Sequence, residues 1–176
     1  SMRALDFMAK HQIYGMVGGG SAEGGIAQKL VEDWRTAHRK YGMEIQPGER
    51  MAIGFQFHIA KTKEQAIKEA APYYEENMKM FGELRLARGI SDEQIEAMRD
   101  PSKVDSVKLP RIEEAVANGG FLAGTPDDII EQLKKVEARL PGLKRVTVNQ
   151  PLSLPGNMCL EQLEWFAKDV MPHFGK

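Results

Sequence analysis

Met-Ala-Ile-Gly-Phe-Gln-Phe-His-Ile-Ala, residues 51–60, is the stretch that decides the fold. Successive side chains of a β-strand point to opposite faces, so this stretch divides into two sets of residues. The even-numbered set is small or polar and includes Gln56 and His58, near the carboxyl end of the strand. The odd-numbered set is large and apolar and should pack against helices; its members are Met51, Ile53, Phe55, Phe57 and Ile59. The pattern predicts a strand with one helix-covered face and one face directed into a hollow.

A second stretch, Arg-Val-Thr-Val-Asn-Gln at 145–150, repeats this alternation. Its two valines should face helices, and its polar residues should face the hollow or lie at the end of the strand. Inward polar side chains are costly unless they line a cavity or bond one another. In barrel enzymes such cavities lie at the carboxyl ends of the strands. We therefore predict a cavity lined by Gln56, His58, Thr147, Asn149 and Gln150.

Purely structural roles, with no cavity, could also account for these polar residues. His58 could equally be a core histidine bonded to Gln56 or to a neighbouring strand. Asn149 and Gln150 could cap the turn into Pro151. His58 is also the candidate for acid–base catalysis, although the sequence assigns it no partner. Sequence leaves these alternatives open.

A candidate phosphate site lies before the first long helix. Residues 12–18 are typical of a short buried strand, and it is joined to that helix by Gly18, Gly19, Gly20 and Ser21. Glycines let a backbone approach a phosphate, and helix N-termini attract anions. The stretch is neither a dinucleotide fingerprint nor a P-loop, and a tight turn explains it as well. Ser1, before the first predicted helix, could be a cap or an anion ligand.

Predicted helices separate the three predicted strands. Apolar residues recur at helical spacing over 26–41 and 66–81, where Pro72 should kink the helix, and Thr125 can cap a helix that Pro126 opens. Strands separated by helices pair in parallel. A complete eight-stranded (β/α)₈ barrel needs about 250 residues, more than the 176 present. We predict one α/β domain, 1–176: the C-terminal half of a TIM-like barrel, with a helical excursion over 82–120.

Composition excludes several classes of partner and site. The chain has 24 basic and 25 acidic residues without basic clusters, so neither nucleic acid nor an anionic membrane is expected. No apolar run is long enough to cross a membrane. The four histidines lack metal-ligand spacing, so no metal site is expected. Cys159 is the single cysteine, which suits a reducing cytoplasm and rules out an intramolecular disulfide.

Several stretches resemble the bacterial-luciferase-like, flavin-dependent monooxygenases, in the order found in the C-terminal half of such proteins. The most characteristic is Gly-Thr-Pro-Asp-Asp-Ile-Ile at 124–130, a helix start and not a catalytic motif. The stretches together span nearly the whole chain: 1–9, 52–62, 73–78, 120–130 and 170–172.

The resemblance implies a TIM-like barrel that binds FMN, or the deazaflavin F420, and uses the reduced flavin with O₂ to oxidise a small organic substrate. A flavin reductase is an implied partner. The family often places a serine at the position of Ser1 against the flavin phosphate. It also uses residues from the first half of the barrel to hold the ring and substrate. The resemblance therefore implies an incomplete site, and we expect the isolated chain to be inactive.

Two alternatives belong to other classes. One is a non-catalytic half-barrel, a binding or structural module that dimerises to close its open sheet edges; open edges attract pairing partners and predict a homo-oligomer. The other is a phosphate-binding barrel isomerase or aldolase. An aldolase would need a lysine on an inward strand position, and the strand at 51–60 has none.

Overall fold

The computed structural model describes residues 1–18, 25–84, 90–103 and 106–175. Within these ranges the helices are α1 (Met2–Lys10), α2 (Gly25–Arg39), α3 (Lys63–Glu83), α4 (Asp92–Met98), α5 (Ile112–Ala117), α6 (Pro126–Arg139) and α7 (Gly156–Trp165). The strands are β1 (Gly15–Gly18), β2 (Met51–Ile59), β3 (Phe121–Gly124) and β4 (Val146–Asn149). A π-helical turn, Phe166–Val170, and a short 3₁₀ turn, Met171–His173, extend α7. None of the described helices is both long enough and apolar enough to span a membrane.

Side-chain caps fix the starts of two helices that pack on the sheet. At α6, Thr125 Oγ1 accepts from the N–H of Asp128 at 3.2 Å, and Asp128 accepts from the N–H of Thr125 at 2.8 Å. At α3, Thr62 accepts from the N–H of Gln65 at 3.1 Å. The side chain of Gln65 does not return this bond and donates to Glu69 at 2.7 Å instead. The cap of α6 is therefore reciprocal and that of α3 is one-sided.

All strand pairings of the sheet are parallel, as the sequence predicts, and all of them involve β2. Alternate residues of a strand direct their backbone groups to opposite edges. The carbonyl of Arg50 accepts from Gly15 N (2.9 Å), whereas the N–H of Ile53 donates to Arg145 O (3.2 Å). β1 and β4 therefore lie on opposite edges of β2. The α/β class and the partial-barrel arrangement are confirmed.

The odd-numbered face of β2 lies in the main core, as predicted. It packs against α6 and the π-helical turn, and Phe57 meets the ring of Phe166 with 4.8 Å between centroids. Along α6 the buried residues recur at helical spacing, which explains why this helix lies on this face. The buried residues of this main core are Ile53, Phe55, Phe57, Ile59, Leu122, Ile129, Ile130, Leu133, Val136, Phe166 and Val170.

A second core cluster covers the carboxyl end of the even-numbered face. Phe121 and Ala123 of β3 pack there against Ala66, Ala70 and Tyr74 of α3 and against residues of α5. The sequence reading missed β3, because a four-residue strand buried on both faces shows no alternation. The strand expected over 12–18 begins only at Gly15. The even face is thus helix-covered at one end, contrary to the expectation that it is free of helices.

Candidate functional site

The middle of the even-numbered face is open and uncharged. Gly54 pairs with Thr147, and Gln56 pairs with Asn149, so these four residues share one face. Met16 of β1 adjoins them and is 70% exposed. A Cβ atom on Gly54 would lie 2.9 Å from Thr147 Oγ1 and 3.3 Å from Met16 Cε, so these side chains leave room only for glycine. The structure therefore brings three of the predicted cavity residues, Gln56, Thr147 and Asn149, onto one surface.

His58 lies on the same face but in a different environment. Its side chain is 0% exposed, and Nε2 lies 3.0 Å from Oε2 of Glu69, on α3. α3 turns back over the end of β2 and covers His58, so the side chain faces Glu69 and not open solvent; that it lines a cavity stays a prediction. Nδ1 is also buried and makes no hydrogen bond to any residue that the structure describes.

Glu69 is the partner that the sequence could not assign to His58. It also accepts from Gln65 Nε2 at 2.7 Å. Partial burial by itself would raise the pKa of Glu69, but the hydrogen bonds from Gln65 and His58 outweigh it and leave that pKa below its ordinary value. A charged Glu69 favours a proton on Nε2, which leaves Nδ1 as an acceptor when the ring is neutral.

Gln150 lies where β4 ends, and both atoms of its side-chain amide are buried without a hydrogen bond among the described residues. Two residues later, the N–H of Leu152 donates to Oδ1 of Asn77 at 3.1 Å. Asn77 is buried on α3, and its Nδ2 likewise has no acceptor in the part of the chain described. Buried polar atoms of this kind call for water or a ligand.

Asn77 and Gln162 are polar residues that sequence reasoning missed. Gln162, in α7, accepts from the N–H of Ile59 (2.6 Å) and donates to its carbonyl (2.9 Å), and so continues the backbone pairing of β2 beyond β4. Both residues occupy apolar stripes: Asn77 follows Tyr74 by three positions, and Gln162 precedes Phe166 by four. A polar residue on a buried helical stripe was the available signal.

The candidate phosphate residues are described only in part. Ser1 is exposed and caps α1, accepting from the N–H of Ala4 at 3.4 Å. Gly18 ends β1, and a Cβ atom built on it would meet nothing within 4 Å. The other three residues of that prediction, Gly19, Gly20 and Ser21, lie outside the described residues. Gly18 therefore leaves open space at the end of β1, whereas the hydroxyl of Ser1 is engaged as the cap of α1.

Other candidate groups add little chemistry. No set of three or more His, Cys, Asp or Glu side chains in the described ranges is placed to hold a metal ion. Cys159 is half-buried, and its Sγ lies 3.5 Å from the carbonyl oxygen of Leu154.

Solved structures with the same fold are about twice as long as this chain. A monooxygenase from Streptomyces bottropensis superposes with a TM-score of 0.59 at 16% identity, over 99% of this chain and 46% of the other. The oxygenating constituent of 3,6-diketocamphane monooxygenase from Pseudomonas putida, solved with FMN, gives 0.61 at 16% identity over 97% and 45%. The F420-dependent tetrahydromethanopterin reductase from Methanopyrus kandleri gives 0.61 at 16% identity over 99% and 49%. The chain spans about half the length of these proteins.

Two further comparisons bear on the family. No similar protein was found among curated proteins. The family model for luciferase-like monooxygenases matches residues 1–141, about four fifths of the chain. Together with the parallel sheet, this match identifies the chain as a member of the luciferase-like monooxygenase family.

Proposed function

We propose that the chain is part of a flavin-dependent monooxygenase that uses reduced flavin and O₂ to oxidise a small organic substrate. The uncharged face formed by Gly54, Gln56, Thr147 and Asn149 carries this proposal, since ligand sites are lined mainly by uncharged groups with a few polar ones that fix orientation. FMN is the first candidate because the Pseudomonas relative was solved with it. F420 is the alternative, which the Methanopyrus relative uses. When bound, the flavin would supply the electrons that activate O₂.

The described residues fit part of such a cofactor. Gly54 leaves the sheet free of a side chain at its centre, and the amides of Gln56 and Asn149 can bond a ring edge or the substrate. Thr147 adds a hydroxyl beside them. Ser1, Gly18, Gly19, Gly20 and Ser21 are the residues proposed to hold the phosphate, since helix N-termini and glycine-rich segments favour anions. None of these residues carries a net charge, which suits the neutral ring better than the phosphate.

His58 is the proposed proton-accepting group. Its Nδ1 is free to accept a hydrogen bond or a proton from a substrate hydroxyl or N–H, and the resulting imidazolium would be stabilised by Glu69 through Nε2. Gln65 holds the second oxygen of Glu69 in place. Gln150 is proposed to contact the ligand through its unpaired amide.

The chain alone is proposed to be inactive, because its relatives contain another half that would complete the ring and substrate site. A flavin reductase is the proposed source of reduced cofactor, and the cytoplasm the proposed compartment.

Titration of FMN and F420 into the isolated chain, followed by flavin fluorescence, tests the proposal. We expect saturable but weak binding of one of them and no turnover with reduced FMN and O₂. Asn149→Trp should weaken binding by about tenfold or more, since it adds bulk to the open face; such a loss equals about 1.4 kcal/mol. Asn157→Trp, on the exposed start of α7, is the matched control and should leave binding unchanged. Absence of saturable binding would overturn the flavin proposal, and turnover would overturn the inactivity of the chain.

A second candidate is a non-catalytic half-barrel that pairs with another copy. Among the described residues β1 and β4 each pair with β2 alone, which favours this candidate. Saturable flavin binding that Asn149→Trp abolishes would speak against a purely structural role.

A further inference from the structure

A cavity on the helix-covered side of the sheet lies apart from the candidate flavin site. It is bounded by α5, α6, β3 and the start of α3, and its volume is about 290 Å³. Leu122 and Val136 line it and belong to the main core, which covers the odd-numbered face of β2 and not the face of Gly54. Among the described residues, none that lines it belongs to β1 or β4. The cavity is therefore built by the middle of the chain and does not depend on what adjoins the sheet edges.

The size and the floor of the cavity favour a small ligand with an apolar part. Ligand cavities usually span about 300–1,000 Å³, so this one lies at the small end of the range and does not suit a flavin. Its floor is formed by Val116, Leu122 and Val136, which are buried. Contact of an aliphatic group with these side chains removes apolar surface from water and is favourable.

Gln132 contributes an unused hydrogen-bond acceptor. It lines the cavity, and its Nε2 donates to the carbonyl of Asp128 at 3.1 Å. That bond leaves Oε1 as the remaining acceptor of the amide, and Oε1 is buried with no donor among the described residues. Because buried polar atoms are nearly always hydrogen-bonded, this oxygen calls for a ligand that brings an N–H or O–H group.

The charged residues at the mouth of the cavity favour an anionic group beside Lys63. Glu131 is paired with Lys135 at 2.7 Å. The carboxylate of Asp128 accepts from the N–H and the hydroxyl of Thr125 in the cap of α6. Lys63 is exposed and forms no ion pair with any residue that the structure describes. Its positive charge is therefore available to a carboxylate.

We propose that this cavity binds a small aliphatic α-amino acid. The carboxylate of the ligand would lie at Lys63, its ammonium group would donate to Oε1 of Gln132, and its side chain would cover Leu122 and Val136. An α-amino acid carries the anion and the donor on one carbon, so a single compact molecule meets all three requirements. The proposal rests on this cavity alone, and it holds whether or not the chain binds flavin.

Titration of L-leucine into the full chain, followed by NMR of the methyl groups, tests the proposal. We expect saturable shifts of the methyl signals of Val116, Leu122 and Val136. Two matched compounds, 4-methylpentanoate without the ammonium group and L-leucinamide without the carboxylate, should each bind about tenfold more weakly, because each loses one charged contact. The 2-hydroxy analogue of leucine is the third comparison and should also bind more weakly than L-leucine.

Two variants locate the ligand in the cavity. Gln132→Leu removes the acceptor and Lys63→Glu reverses the charge, and each should raise the dissociation constant of L-leucine about tenfold or more. Gln28→Leu and Lys134→Glu are the matched controls, since both residues are exposed and neither lines the cavity. The controls should leave binding unchanged. Circular dichroism checks that each variant is folded, and Lys63→Glu, at an exposed position, keeps the test valid if Gln132→Leu does not fold.

Three results would overturn the proposal. Absence of saturable binding of L-leucine would show that the cavity takes no such ligand. Binding that Gln132→Leu and Lys63→Glu leave unchanged would place the ligand elsewhere. Equal or tighter binding of 4-methylpentanoate or of the 2-hydroxy acid would show that the ammonium group is not recognised, and the cavity would then belong to another class of carboxylic acid.

Discussion

The odd-numbered and even-numbered faces of β2 differ in composition and in what covers them. The odd face carries Phe55, Phe57 and Ile59, which are almost wholly buried under α6 and the π-helical turn. The even face carries glycine and polar residues and is open at Gly54 but sealed by α3 at His58. One strand therefore holds the core on one side and the candidate site on the other.

The difference shows what each face contributes to the molecule. Close packing of the odd face stabilises the fold, because apolar burial scales with the area removed from water. The even face contributes little burial at its centre, and its polar side chains are available for ligand or for one another. Substitutions on the odd face should therefore change stability, whereas those on the open even face should change binding.

The largest expected effect is on the odd face. Phe57→Ala should lower the free energy of unfolding by about 3–5 kcal/mol, because it removes a fully buried ring in contact with Phe166. Urea unfolding followed by circular dichroism measures it. Met16→Ala, on the open face, is the control and should change stability by less than about 0.5 kcal/mol. Equal losses for both variants would show that the two faces are not energetically distinct.

The next largest loss of stability is expected where Gln162 bonds the edge of β2, beyond the end of β4. Gln162→Ala should cost about 2–4 kcal/mol, since it leaves the N–H and the carbonyl of Ile59 buried without partners. Gln132→Ala is the comparison, because Gln132 makes a single bond, from Nε2 to the carbonyl of Asp128. We expect it to cost about 1 kcal/mol. A loss at Gln162 no larger than that at Gln132 would mean that water replaces the missing amide.

The sequence predicted the odd face correctly because alternation is a local property that each residue carries in its own side chain. The parallel pairing and the helix at Pro126 followed from local signals for the same reason. The environment of His58 could not be predicted in this way. It depends on the path of α3, which brings Glu69 back over the end of the strand.

The two missed polar residues could not be predicted for a similar reason. Asn77 and Gln162 are buried because a loop backbone and a strand edge require hydrogen bonds at those points, and both partners are distant in sequence. Periodicity predicts that these positions are buried, but it does not predict what a polar side chain there bonds. β3 was missed because its four residues are buried on both faces.

Gly54→Ala tests how little space the neighbouring side chains leave beside Gly54. The added Cβ should clash with Thr147 Oγ1 and cost about 1–3 kcal/mol. Thr147→Ala in the same chain should recover most of the loss, because it removes the atom that clashes. Gly18→Ala is the control and should be close to neutral, since its Cβ meets nothing. Thermal unfolding distinguishes these cases, and a failure of Thr147→Ala to rescue would place the strain elsewhere.

Removal of the side-chain caps of α6 and α3 should lower the free energy of unfolding by smaller amounts. Thr125→Ala should destabilise the chain by about 1 kcal/mol or slightly more, because it removes the hydroxyl that accepts from the N–H of Asp128 and donates to the Asp128 carboxylate. Thr62→Ala should cost less, since only one bond is lost at α3. Thr125→Ser keeps the hydroxyl and should retain most of the stability. Chemical unfolding of the three variants measures the order, and a larger loss at Thr62 would contradict it.

The smallest expected effect is the pH dependence contributed by Glu69. Its pKa is below the ordinary value of 4.5 in the folded chain, so its charged form stabilises the fold above that value. This stabilisation should be lost as the pH falls through the lower, folded pKa. Glu69→Gln should reduce the loss of stability below pH 4.5, by less than about 1 kcal/mol, because solvent screens a partly exposed carboxylate. Urea unfolding from pH 3 to pH 7 measures the profile, with Glu75→Gln on the same helix as the matched substitution; equal profiles for wild type and Glu69→Gln would show that the hydrogen bond to His58 carries no charge-dependent energy.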